Sequence, residues 1–86
     1  MSALTETEKS ILTNALQGGG EIGMMSAGQI GDWVRAGTFD FVDDNDPSLQ
    51  ARGIEALENL VRKGLVRHET GQLYKLTGSG FDQAKA

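Results

Sequence analysis

Residues 46–76 read DPSLQARGIEALENLVRKGLVRHETGQLYKL, and residues 77–84 continue TGSGFDQA. At 100° per residue from Ile54, the residues Leu49, Gly53, Ala56, Leu57, Leu60 and Val61 fall in one apolar half, which predicts an amphipathic helix over about 47–63. Its opposite face carries Ser48, Arg52, Glu55, Asn59 and Arg62, with Lys63 at the edge. Asp46-Pro47 reads as an N-cap followed by a proline at the first helical position, where a missing N–H costs nothing. Gly64 ends the helix in the left-handed conformation that glycine adopts freely. Leu65–His68, a turn at Glu69-Thr70-Gly71 and Gln72–Leu76 predict a hairpin over 65–76 in which Leu73 and Lys75 share a face. Thr77 caps a last helix, Gly78 to about Lys85, with Phe81 and Ala84 packing back.

On the N-terminal side, Thr5-Glu6-Thr7-Glu8 is a capping box. Residues 1–4 fray ahead of it, and a helix over 6–17 follows with Ile11, Leu12, Ala15 and Leu16 on one face. Gly18-Gly19-Gly20 makes a turn. Glu21–Met25 has room for a short strand, its methionines filling the core. Ser26-Ala27-Gly28-Gln29 repeats the capping pattern and predicts a second helix, with Ala27, Ile30, Trp33 and Val34 as its buried stripe and Gly37 beyond its end. Thr38–Asp46, TFDFVDDND, is then a loop that alternates aromatics with acids. Two readings of it stand. Its aromatics tuck onto the core beneath solubilising acids, or Phe39, Asp40, Phe41, Asp43 and Asp44 present a hydrophobic-acidic patch to a protein partner.

Composition narrows the function classes. A chain of 86 residues is read as one domain spanning 1–86. With no cysteine and one histidine, it offers no disulfide, no thiolate zinc site and no Cys/His or Ser/His nucleophile pair. Asp44, Asp46 and Ser48 have calcium-loop spacing, but Leu49 occupies the glycine position and Pro47 interrupts the loop, so no metal is expected. No phosphate-binding glycine loop is present, and the reading is neither an enzyme nor a cofactor protein. No apolar run reaches the roughly 18 residues of a membrane span and no signal peptide is visible, so a cytoplasmic protein is expected. The net charge of −4 is uneven: residues 1–46 hold eight acids against Lys9 and Arg35, whereas residues 47–86 hold six bases against four acids. That acidic balance counts against phosphate-driven binding to nucleic acid.

The run Ala56-Leu57-x-x-Leu60-x-x-Lys63-Gly64-Leu65-Val66, followed by Tyr74-x-Leu76-Thr77-x-x-Gly80, resembles the helix and wing of bacterial winged-helix transcriptional regulators. The resemblance covers residues 47–86 and extends to 5–37. It implies a mainly α fold with a small antiparallel β wing, an α+β winged helix-turn-helix in the order α-(β)-α-α-β-β-α. It also implies DNA binding, with the helix over 47–63 in the major groove and the 65–76 wing on the backbone. Carried onto this chain, the contacts fall to Ser48, Arg52, Glu55 and Asn59 on the helix and to Arg67, His68 and Lys75 on the wing. A homodimer accompanies that reading, because one module of this size buries little specific DNA surface. The chain departs from the pattern at Asp40, Asp43, Asp44 and Asp46, which gather where phosphates would lie. The alternative is a winged-helix protein-interaction module that uses the 38–46 loop or the long helix and binds no DNA.

Overall fold

In the computed structural model, which describes residues 4–86, the Thr5 hydroxyl accepts from the Glu8 N–H at 3.1 Å while the Glu8 carboxylate accepts from the Thr5 N–H at 3.0 Å. This capping box opens α1 (Glu6–Gln17) and satisfies two of the N–H groups that a helix start leaves unpaired. Residues 1–3 of the segment expected to fray lie outside the described residues; Leu4 is ordered against the core.

The chain then departs from the sequence expectation. The stretch read as a second helix is the turn and return strand of a hairpin, β1 (Glu21–Ala27) and β2 (Gly31–Ala36), with Met24 opposite Val34 and Met25 opposite Trp33. Gly28 and Gly31 adopt positive φ, 29° and 86°; of the would-be capping residues, Ser26 and Ala27 end β1, while Gly28 and Gln29 form the hairpin turn. Over residues 31–36 the burial has period two, with Val34 and Ala36 inside and Arg35 outside. Ile30 is accordingly 54% exposed, and Trp33 lies on the other side of the sheet from Val34. A two-residue strand β3 (Phe39–Asp40) adds to β2.

The C-terminal half follows the sequence closely. Pro47 has helical dihedrals and directly precedes α2 (Ser48–Arg62), which buries Gly53, Ala56, Leu57 and Leu60. The N-cap expected at Asp46 is not made, since no side chain caps the helix and the Asp46 carboxylate accepts from the Ser48 hydroxyl and Arg52 instead. Gly64 (φ 78°) ends it in a Schellman motif: the Gly64 N–H donates to the Val61 carbonyl at 3.1 Å and the Leu65 N–H to the Leu60 carbonyl at 3.0 Å. β4 (Val66–Thr70) and β5 (Leu73–Leu76) form the expected hairpin, with a register shift between His68 and Thr70. Thr77 caps α3 (Gly78–Lys85) through the Gly80 N–H at 3.0 Å, and Phe81 and Ala84 pack against the core.

The described residues form a small α+β fold with three helices and one five-stranded antiparallel sheet, ordered β3-β2-β1-β5-β4. β4 and β5, the strands expected to form a separate wing, are two of the five strands of this sheet. Register divides the sheet into two faces. Ile22, Val34, Ala36, Val66 and Leu76 share the inner face and form the core with Ile11, Leu12 and Ala15 of α1 and the buried stripe of α2. The outer face carries Met25, Trp33 and Leu73, which lie apart from that core.

Candidate functional site

The seven side chains to which the resemblance assigns DNA contacts occupy separate surfaces. Ser48, Arg52 and Glu55 lie exposed on the solvent side of α2. Arg52 donates to the Asp46 carboxylate at 2.9 Å and to the Ser48 hydroxyl, and Ser48 donates to Asp46 at 2.7 Å. These bonds, from Ser48 first and then Arg52, hold the Asp46 carboxyl below its ordinary range. Asp46 therefore fastens the start of α2, and Arg52 already has an anion beside it.

Asn59 turns toward α1. It accepts from Arg62 and lies near enough to the Glu8 carboxylate to help hold it ionised, and that carboxylate accepts from the Lys63 ammonium at 2.8 Å. Glu8 is only 1% exposed. Burial pushes its carboxyl up, but the bonds from Lys63 and the Thr5 N–H, with Asn59 close by, outweigh this and leave it below its ordinary value. The end of α2 is thus pinned to the start of α1 by an ion pair, and Asn59 belongs to that junction.

On the β4–β5 hairpin, strand alternation separates the other three. Arg67 pairs with Lys75 on the outer face, and His68 pairs with Tyr74 on the inner face beside α2. Arg67 donates to Glu69 at 2.6 Å.

The 38–46 segment divides as well. Phe41 is 2% exposed and meets Phe39 edge-on at 4.8 Å, whereas Phe39 itself is 46% exposed. Asp40 accepts from Arg35 at 2.6 Å and from the Trp33 indole at 3.0 Å, and Arg35 is the main cause that holds its carboxyl low. Asp43 accepts from the Asn45 N–H at 2.9 Å within a local turn, and Asp44 is exposed. Phe41 and Asp40 are structural; Phe39, Asp43 and Asp44 remain at the surface. Among the described residues, no three His, Asp or Glu side chains gather closely enough to hold a metal ion. No described helix is long and apolar enough to cross a membrane.

A cleft of about 240 Å³ lies between α2 and the sheet, lined by Met24, Leu57, Glu58, Val61, His68 and Tyr74. The His68 and Tyr74 rings lie 4.7 Å apart, and His68 Nε2 sits 2.7 Å from the Gly71 carbonyl, which fixes the ring against the turn. Sequence reasoning placed Val61 in the buried half of α2 and treated His68 as a wing contact. The signal for the cleft was the position of Val61 at the margin of that half, together with the alternation that turns His68 and Tyr74 inward.

Compared with family models, with curated proteins and with solved structures, the chain finds no match.

Proposed function

We propose that this chain is a protein-interaction module built on a winged-helix-like plan in which the β1–β2 hairpin replaces the second helix. The observation that carries the reading is the cleft between α2 and the sheet, with apolar walls from Leu57, Val61, Met24 and Tyr74 and a carboxylate, Glu58, at its margin. Its volume suits one large apolar side chain of a partner, and Glu58 favours a basic residue next to it. The charge of the surface supports the same reading. Arg52 and Arg67 are bonded to acids, Asn59 serves the α1–α2 junction, and Lys75 and His68 lie on opposite faces of the sheet. A DNA surface needs its cations unpaired and on one side, because neutralised phosphates supply most of the affinity.

Two measurements test this. A salt titration against random duplex DNA, starting at about 50 mM, is expected to show no binding; binding that weakens in Arg67→Ala and Lys75→Ala overturns the reading in favour of a DNA-binding regulator. Selection from a displayed peptide library is expected to enrich a large apolar residue beside Lys or Arg. Binding of the selected peptides should fall on the order of tenfold or more in Val61→Asp, which changes a side chain that is already 36% exposed.

A further inference from the structure

An antiparallel sheet with one uncovered face normally shows water a polar surface there. Here the outer face carries a row of large apolar side chains. Trp33 on β2 stands opposite Met25 on β1, and Gly23, two residues from Met25, stands opposite Leu73 on β5. The row is continuous because position 23 is glycine: a Cβ there would lie 2.7 Å from the Met25 terminal methyl, so Met25 lies across Gly23 toward Leu73. Trp33 is held in place by its bond to Asp40. Around this row run Arg35 with Asp40, Arg67 with Glu69, and Glu21 opposite Lys75. Three bases thus match three acids, and the chain's net charge of −4 lies entirely elsewhere.

We infer that the outer face of the sheet is a self-association surface, on which two copies of this chain stack sheet to sheet around Trp33, Met25 and Leu73. A two-fold interface sets each patch against itself, so a patch of one sign repels its copy while a balanced patch does not. An apolar centre holding Trp and Met within a polar rim also has the composition of an interface. Size sets the strength. The face measures roughly 20 by 20 Å from strand spacing and length, so two stacked copies bury on the order of 800 Å² in total, in the range of weak and transient interfaces, and association is expected only at high protein concentration. This inference is independent of the cleft, which lies on the inner face of the sheet.

The experiment is sedimentation equilibrium from about 5 to 500 µM, read together with the emission and acrylamide quenching of Trp33, the chain's one tryptophan. The expected result is a monomer–dimer equilibrium in which Trp33 emission shifts to the blue and quenching falls as concentration rises. Leu73→Glu should raise the dissociation constant on the order of tenfold or more with an unchanged far-UV circular dichroism spectrum. Val61→Asp should leave association unaltered, so failure of the cleft reading and failure of this one are distinguishable. A wild-type monomer throughout the range overturns the inference. So does a dimer that leaves Trp33 unshifted or that survives in folded Leu73→Glu. If Leu73→Glu fails to fold, the wild-type quenching decides: concentration-dependent protection supports the interface and constant quenching removes it.

Discussion

Glu8 carries the most tertiary information of any single residue. Its position three residues after Thr5 marks a helix start, and the structure uses it so. The same carboxylate meets Lys63, 55 positions away, at 2.8 Å. A buried charge that loses its partner is costly, whereas a pair replaced as a unit is often neutral. Lys63→Met is therefore expected to destabilise the protein by about 2 kcal/mol, less than the loss of a fully buried partner because the Lys63 side chain is 26% exposed. Urea unfolding monitored by circular dichroism measures it, and Glu8→Gln combined with Lys63→Met should recover part of the loss. A double variant no more stable than Lys63→Met alone would show that the pair is not the source.

Among the elements, α2 and the β4–β5 hairpin were legible because their signals are local and agree. The apolar stripe, Gly64 and Thr77 each depend on a few neighbouring residues, and the structure places them as the sequence implies except for Val61, which the stripe included and which stays 36% exposed. The docking of α3 is a separate matter. Gly80 lies in the first turn of α3, where a Cβ would run into the Leu65 carbonyl, which itself accepts from the Thr77 N–H at 3.0 Å. Gly80→Ala is expected to cost about 2 kcal/mol despite the better helix propensity of alanine, since the obstacle is backbone and cannot rotate away. For a domain of this size that amounts to a fall in Tm of roughly 10 °C, measurable by a thermal melt. Ser79→Ala, on the exposed side of the same turn, should change Tm little.

For the whole molecule, three carboxylates titrate below their ordinary values of 4.5 for Glu8 and 3.8 for Asp40 and Asp46. Each binds its proton more weakly in the folded chain than in the unfolded one. Their contribution to stability is then complete above those ordinary values and declines as pH falls through them. Stability is expected to be level from about pH 6 to 8 and to drop below about pH 5. Glu8 dominates, because Asp40 and Asp46 sit in exposed pairs that water screens. In unfolding curves recorded between pH 7 and 3, the gap between wild type and Glu8→Gln should therefore narrow as the pH drops. A gap that stays constant would remove Glu8 as the source.

The Thr5–Glu8 capping box, the Gly64 stop, the long apolar stripe and the hairpin at residues 65–76 could be read from the chain, because each depends on residues within a turn or two of one another. The character of residues 26–36 could not. A run with apolar residues at 27, 30, 33 and 34 fits a helical stripe, while Trp33 to Ala36 fits strand alternation equally well. Pairing with β1 decided between them, since β1 offers a hydrogen-bonding edge that a helix would leave unused. The candidate site was hidden for the same reason. Side chains adjacent in sequence, Arg67 beside His68 and Met24 beside Met25, end on opposite faces of the sheet, and residues far apart, Met24, Leu57 and Tyr74, close one cleft. Local chemistry specified the elements of this protein, and only their packing determined which side chains meet.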